Sequence, residues 1–259
     1  MNAARRFSTT ARTLLVVLVV VLIFASGPLL AVATGKASLE ADWRTASRQS
    51  AGIAPAPDEH REAVVQVYAA RALAWRGMFG VHSWISVKER GAAVYRVYEV
   101  IGWRHYRGRP SVSISNRAPD GLWFGSRPVL LADLRGARAR QAIRGIDAAA
   151  RDYPFENEYR VWPGPNSNTF TAHVIRQVPE LSVHLPTTAV GKDYLPGSLV
   201  AASPSGTGYQ FSLFGVFGLM AARDEGVELN LLGLSLGVDP SPLTLKMPGL
   251  GHVRLSGDG

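Results

Sequence analysis

The feature that most constrains this chain is an uncharged apolar run near its start, residues 14–33. At 1.5 Å rise per residue, a helix of this length crosses a hydrocarbon core of roughly 30 Å. Arg5, Arg6 and Arg12 precede the run, and no acidic residue occurs before Glu40. The positive-inside rule therefore predicts a single-pass protein of the cytoplasmic (inner) membrane, with its amino terminus inside and the bulk of the chain in the periplasm or outside.

A cleavable signal peptide is the alternative interpretation of the same segment. It has a basic start, an apolar stretch of suitable length, and Ala31 and Ala33 in the small-x-small pattern that signal peptidases cut. Because the apolar character resumes after the Gly27-Pro28 break, we favour an uncleaved membrane anchor over residues 1–33. Both interpretations send the remaining residues across the membrane.

Charge limits which partners the exported part is expected to have. After residue 33 the chain holds 25 basic and 20 acidic residues, a net charge of +5, which favours contact with anionic lipid headgroups or envelope polymers. Solubilising charge spread over many faces is the alternative. The arginines are scattered and no nucleic-acid reader motif occurs, so no nucleic-acid partner is expected.

Cysteine and histidine usage limits the chemistry. The chain has no cysteine, so it has neither a disulfide nor a thiolate nucleophile. None of the six histidines has the spacing of a metal-ligand set, and the glycine-rich runs lack the lysine of a phosphate loop. We therefore expect no metal and no cofactor. With 47% hydrophobic residues, the chain can still fill a sizeable core.

Composition and periodicity predict a tether followed by an α+β body. Residues 34–62 are rich in Ala, Ser and Pro, which is typical of a linker. Residues 63–186 form the predicted core, and residues 187–259 form a glycine-rich β extension packed on it. Strands are predicted at 63–75, 81–88, 94–103, 110–115 and 156–162, helices at 131–153 and 171–178, and extension strands at 210–221, 227–238 and 243–247.

Residues 162–170, WPGPNSNTF, carry the best indication of chemistry. Ser167 lies where a proline-stiffened segment meets the first turn of a predicted helix, and the free N–H groups there favour a developing negative charge. A serine nucleophile needs a base, and His82 in the strand GVHSWISVK is the best candidate. The alternatives are an N-cap role for Ser167 and a structural hydrogen bond for His82.

The order of these motifs resembles circularly permuted papain-like hydrolases of the desumoylating isopeptidase and lecithin retinol acyltransferase type. His82 heads a strand, Glu99 lies on the returning strand, and residues 166–170, Asn-Ser-Asn-Thr-Phe, are similar to their Asn-Cys-Asn-x-Phe segment. The resemblance covers residues 63–178 and implies a papain-like core of an antiparallel sheet packed with helices. It also implies that His82 is the general base, that Ser167 replaces the cysteine nucleophile, and that Glu99 orients the imidazole. An ion pair between Glu99 and a nearby arginine is the alternative.

Residues 63–259 as a whole also look like an uncharacterised bacterial membrane-anchored family, defined only as a domain of unknown function. The first functional hypothesis is a serine-dependent amide or ester hydrolase or acyltransferase of the cell envelope, with Trp84, Asn166 and Asn168 as candidates for substrate binding. Core packing for Trp84 and loop hydrogen bonding for the asparagines are the alternatives. The second hypothesis is a catalytically inactive papain-like module that binds an envelope peptide, glycan or lipid, and a structural envelope protein is the third.

Overall fold

The computed structural model describes residues 8–40 and 42–254 of the chain. They form an apolar amino-terminal helix and an α+β body with two antiparallel sheets, which confirms the predicted fold class. The first part contains α1 (Thr9–Ala33), β1 (Val64–Arg71), a 3-10 helix (Ala74–Met78), β2 (Val81–Lys88), β3 (Arg96–Val100), α2 (Gly102–His105), β4 (Val112–Asn116), β5 (Val129–Arg135), α3 (Gly136–Arg151) and α4 (Ser167–Gln177). A second 3-10 helix (Pro179–Leu181) leads to β6 (Val200–Ala202), β7 (Gly208–Leu213), β8 (Phe217–Ala222), β9 (Gly226–Leu231), β10 (Leu234–Pro240), β11 (Leu243–Met247) and β12 (Gly251–Arg254).

The five-stranded sheet has the order β4-β3-β2-β1-β5, and α3 and α4 cover one of its faces. Side chains alternate along β2, so Ser83, Ile85 and Val87 point towards the helices. His82 and Trp84 point to the other face, where a smaller apolar cluster forms. The two faces of one strand therefore belong to two separate environments.

Helix α1 begins after Ser8, whose side chain caps it, and is long and apolar enough to cross a membrane, with a mean hydropathy of 2.9. A cleavable signal sequence meets the same criteria. Most of the helix is exposed, but Gly27, Pro28 and Ala31 are buried where its last turns pack on the body beside the 248–250 turn. A Cβ atom at Gly27 would collide with the carbonyl group of Pro248, so glycine is what permits this contact.

The segment before β1, predicted as a tether, has part of its length held against the body. The buried Asp120 carboxylate accepts hydrogen bonds from the Ser50 hydroxyl at 2.7 Å and from the backbone N–H groups of Ile53 and Ala54 at 2.5 and 3.1 Å. Ile53 also packs on the apolar cluster around Trp84. Composition did not reveal this docking, because the carboxylate that collects these donors lies far away in the sequence.

Two predictions for the middle of the chain are wrong. Residues 131–135, predicted to open a long helix, belong to β5, which pairs antiparallel with β1, and α3 begins only at Gly136. Pairing with an open sheet edge outweighed the helical periodicity of this segment. Residues 156–162 form turns and irregular structure instead of a strand.

The seven-stranded sheet is a meander in which each strand pairs with the next, in the order β12-β11-β10-β9-β8-β7-β6. The segments 210–221 and 227–238, each predicted as one strand, are in fact hairpins. At the first turn Phe214 and Gly215 have φ of 51° and 70°, and at the second Leu232 and Gly233 have 52° and 77°. Positive φ at both central residues is the geometry of tight hairpin turns, although a phenylalanine or leucine seldom adopts it.

A buried ionic cluster lies under the inner face of this sheet. The Glu228 carboxylate accepts from Lys192 Nζ at 2.7 Å and from Lys246 Nζ at 2.8 Å, and Lys192 also donates to Asp193 at 3.0 Å. Burial by itself raises the pKa of Glu228, but the two ammonium groups outweigh burial and lower that pKa to about 2. The cluster fastens the loop after α4 to β9 and β11.

Candidate functional site

Helix α4 starts within the WPGPNSNTF segment, and its N-cap is Asn166. The Asn166 carboxamide oxygen accepts from the N–H groups of Asn168 at 2.9 Å and Thr169 at 3.2 Å, and the Thr169 hydroxyl accepts from the Asn166 N–H at 3.1 Å. This capping box satisfies donors that the helix leaves unpaired. The interpretation of Ser167 as the N-cap is therefore wrong, because Ser167 is the first residue of the helix itself.

The side chains of Asn166 and Asn168 are buried and use their carboxamide groups within the fold. Both donate to the carbonyl oxygen of Val190, at 3.0 and 2.9 Å. Asn168 also donates to the carbonyl oxygen of Val81 at 2.9 Å and accepts from the Ser83 hydroxyl at 2.8 Å. These contacts fasten the start of α4 to β2, and the structure gives both asparagines a positioning role for the helix.

Trp84 is completely buried. Its indole N–H donates to the carbonyl oxygen of Pro119 at 2.7 Å, and its ring stacks on Tyr68 with centroids 5.6 Å apart. The structure thus places Trp84 in the core, beneath any surface that a substrate could reach.

His82 and Glu99 meet on the face of the sheet opposite to α4. His82 Nε2 and Glu99 Oε2 are 2.9 Å apart, and Arg117 donates to Glu99 through Nε at 2.9 Å and Nη2 at 3.1 Å. Trp123 covers the imidazole in a nearly parallel stack, with ring centroids 3.5 Å apart. Glu99 thus contacts the imidazole as the resemblance implied, and it also pairs with Arg117, which is the alternative interpretation of Glu99 as the partner of a nearby arginine.

Burial and this ion pair together set the protonation of the group. Burial lowers the pKa of His82 below its ordinary value, and the hydrogen bond to Glu99 opposes this effect without cancelling it. Burial by itself raises the pKa of Glu99, but the hydrogen bond from His82 and the charge of Arg117 outweigh burial and lower it to about 2. At neutral pH the imidazole is therefore neutral, and its Nε2–H donates to an ionised carboxylate that is paired with Arg117.

No hydrogen bond joins Ser167 and His82 among the described residues. Ser167 opens α4, which packs on the face that carries Ser83, whereas the His82 ring lies on the other face beneath Trp123. Among the described residues, the hydrogen-bonding partner of His82 Nε2 is Glu99, and the Ser167 hydroxyl has no hydrogen bond. The dyad of nucleophile and base that the resemblance implied therefore stays a prediction.

A cavity of about 440 Å³ opens beside Glu99 and Arg117. Trp103 and Trp123 line it, stacked with ring centroids 5.7 Å apart, and the guanidinium of Arg48 lies 5.6 Å from the Trp103 ring. Glu99 is the one acidic residue among the described residues that line this cleft. Its arginines are Arg48, Arg104, Arg107, Arg109 and Arg117.

Sequence reasoning missed this cleft, although part of the signal was visible. Residues 103–109, WRHYRGR, place three arginines beside a tryptophan within seven residues. The residue pattern of this segment indicates the end of a strand followed by a loop. In the structure the segment contains part of the short helix α2, between β3 and β4. Arg48 and Arg117 reach the same cavity from distant segments. The five arginines are therefore brought together only when the chain folds.

These features define a class of protein: one helix suited to a membrane, an α+β body, and a basic cleft lined by tryptophan. Residues 62–194, more than half of the chain, match the family model described as Protein of unknown function (DUF3750). The chain belongs to this family. No curated protein and no solved structure matches it, so the papain-like relationship stays a prediction. The seven-stranded sheet lies wholly outside the matched range.

Proposed function

We propose that this protein is a membrane-anchored module of the cell envelope that binds an anionic ligand in the cleft lined by Trp103 and Trp123. The observation that carries the proposal is the convergence of five arginines on one cavity with a single lining carboxylate, Glu99, among the residues that the structure describes. The ligand would be an acidic group of an envelope peptide, glycan or lipid, bound without chemical change.

Several arginines of the cleft have no acidic partner among the described residues and can pair with an acidic ligand. Glu99 is already neutralised by Arg117, and within the described chain Arg48, Arg107 and Arg109 form no ion pair with an acidic residue. A guanidinium presents planar paired donors that match a carboxylate or a phosphate. Several of them around a concave surface also raise the local concentration of anions.

The two tryptophans add a second requirement to the ligand. The rings of Trp103 and Trp123 are partly exposed and form an apolar wall beside the arginines. Aromatic faces pack against flat apolar surfaces, while the charged groups beside them fix orientation. A ligand that joins an acidic group to a ring with an apolar face, as an acidic sugar does, fits both parts of the cleft.

Helix α1 supplies the location. Its contacts with the body at Gly27 and Pro28 favour an anchor that is retained, because cleavage after Ala33 would remove them. Arg12 lies just before the apolar run, which supports an amino terminus in the cytoplasm and a body on the far side of the inner membrane. The mass of the mature protein tests retention directly.

Binding is tested by titrating the full chain in detergent with trigalacturonate, an acidic trisaccharide, and with uncharged maltotriose. We expect trigalacturonate to change the tryptophan fluorescence and maltotriose to bind far more weakly. Arg107→Gln with Arg109→Gln is expected to weaken binding by roughly tenfold, because each exposed ion contact contributes up to about 1 kcal/mol. Added salt should weaken binding as well.

The matched control is Arg140→Gln with Arg144→Gln, which removes the same charge from two exposed positions of α3. This control should bind trigalacturonate as the wild type does. Equal responses to both sugars, or equal losses in the two double variants, would contradict a specific anion site in the cleft.

The serine hydrolase hypothesis has its own test. We expect a fluorophosphonate probe to leave Ser167 unlabelled, because the neutral imidazole of His82 is held by Glu99 on the opposite face of the sheet. Mass spectrometry of the peptide that contains Ser167 provides the measurement, with a known serine hydrolase as the positive control. Labelling that disappears in both Ser167→Ala and His82→Ala, with folding intact, would restore the hydrolase hypothesis and count against a silent cleft.

A further inference from the structure

The outer face of the seven-stranded sheet is apolar across its whole width. The strand register aligns its outward side chains in rows, one of which runs Val200, Phe211, Leu219, Leu229 and Leu236. Over the strand residues that the structure describes, no outward position carries a charge. The other outward residues are Ala202, Tyr209, Leu213, Phe217, Ala221, Val227, Leu231, Leu234, Val238, Pro240, Leu243, Leu245, Met247, Gly251 and Val253.

This sheet is inverted relative to the ordinary arrangement. Its inner face is polar and buried, with residues such as Gln210, Asn230 and Lys246, while Phe211 and Leu219 on the outer face remain substantially exposed. Antiparallel sheets normally turn the apolar face inward and the polar face to water. A continuous exposed apolar surface of this kind marks a contact with a membrane or another molecule.

The two ends of the sheet differ in a way that points to lipid. The β7–β8, β9–β10 and β11–β12 turns share one end, because successive turns of a meander alternate between ends. At this end the turn residues Phe214 and Leu232 are 65% and 64% exposed, although turn tips are normally polar. The turn at the other end, between β8 and β9, carries Arg223 and Asp224.

The apolar end is also the end on which α1 packs. The 248–250 turn, between β11 and β12, contacts Gly27 and Pro28 near the carboxy-terminal end of the helix. The 3-10 helix beside α1 adds Trp75, which is 56% exposed, and Arg76. Tryptophan and arginine are the residues that collect at the boundary between lipid and water.

We infer that the outer face of the seven-stranded sheet, with the turn tips Phe214 and Leu232, lies against the lipid of the membrane that α1 crosses. This inference rests on the anchoring part of the proposed function and not on ligand binding in the cleft. A sheet that packed on a second copy of itself would bury the same face, but it would not require apolar turn tips at the α1 end and a charged turn, 223–225, at the other. The sheet therefore acts as a second membrane contact beside the helix.

The chain has no cysteine, so single substitutions provide unique labelling sites. Leu219→Cys and Phe214→Cys test the face and the α1-side tip, and Asp224→Cys on the opposite turn of the same sheet is the matched control. Each full-length variant is labelled with a nitroxide and reconstituted into vesicles of phosphatidylethanolamine and phosphatidylglycerol. Collisions with oxygen, which concentrates in lipid, and with a water-soluble nickel chelate are then measured by electron paramagnetic resonance.

We expect labels at 214 and 219 to lose nickel collisions and gain oxygen collisions, and the label at 224 to retain nickel collisions. Nickel access at 219 equal to that at 224 would overturn the inference. Protection from both reagents, with spin–spin broadening that disappears on dilution with unlabelled protein, would show that a second copy covers the face and would also overturn it.

Carbonate extraction of the wild type separates failure of the anchor from failure of the sheet contact. Extraction from the vesicles would remove the anchoring on which the inference rests and overturn both. Retention together with nickel access at 219 would overturn the sheet contact alone. Circular dichroism of each variant, compared with the wild type, shows that the substitutions leave the fold intact.

Discussion

Replacement of Glu228 by alanine is expected to lower the free energy of unfolding by about 3–5 kcal/mol, because it leaves a buried charge without its partner. Glu228 is buried and bonds the ammonium groups of both Lys192 and Lys246. Its removal leaves Lys192 with Asp193 but leaves Lys246 buried without a carboxylate. Thermal unfolding of the full chain in detergent, followed by circular dichroism, should show a midpoint lower by about 10 °C.

Two further variants separate charge from volume. Glu158→Ala removes an exposed carboxylate that forms no ion pair within the described residues, and it should leave the midpoint nearly unchanged. Glu228→Met combined with Lys246→Met replaces the pair with apolar side chains and should recover much of the loss, because no buried charge is then left unpaired. A double variant less stable than Glu228→Ala would contradict this account of the cluster.

The same pair predicts a dependence on acid. The pKa of Glu228 is lowered in the folded state from its ordinary value of 4.5 to about 2, so its contribution to stability is complete above pH 4.5 and is lost as the pH falls towards 2. The unfolding midpoint of Glu228→Met/Lys246→Met should therefore vary less than that of the wild type across this window.

Replacement of Glu99 by alanine is expected to have the next largest effect, a loss of about 2–4 kcal/mol in the free energy of unfolding. Glu99 is almost completely buried and accepts two hydrogen bonds from Arg117 and one from His82. Because Arg117 is partly exposed, water can replace some of what it loses, and the expected loss is smaller than at Glu228. Thermal unfolding provides the measurement.

A more conservative change at the same position tests how the charge of Glu99 affects the pKa of His82. In Glu99→Gln the pKa of His82 should fall further below its ordinary value, because Glu99 is the group that raises it against burial. Nuclear magnetic resonance of the imidazole protons follows this titration. Glu89→Gln, which removes a half-exposed carboxylate near the same sheet, should leave the His82 titration unchanged. An unchanged pKa in Glu99→Gln would show that the contact is electrostatically unimportant.

Sequence periodicity predicted which residues of β2 share a face, but it could not predict which face meets α4. It separated Ser83 and Ile85 from His82 and Trp84, and the structure has the same separation. Both faces of β2 are buried, so neither polarity nor hydrophobicity distinguishes the helix side. The predicted contact between His82 and Ser167 required knowing which face of β2 meets α4.

The same physical limit applies to the carboxy-terminal region. Continuous apolar segments there predict long strands, because Phe214-Gly215 and Leu232-Gly233 do not have the polar composition of turns. The cleft was missed for a different reason. Its arginines come from segments as far apart as Arg48 and Arg117, and local pattern carries no information about such convergence.

The packing of α1 on the 248–250 turn has a consequence for biogenesis. Gly27 leaves the ribosome well before Pro248, yet the two are in contact in the folded protein. The helix can form early, but its seat on the body exists only after β11 and β12 have been synthesised and folded. A chain truncated before residue 248 would lack this seat, so the last two strands determine how α1 is held against the body.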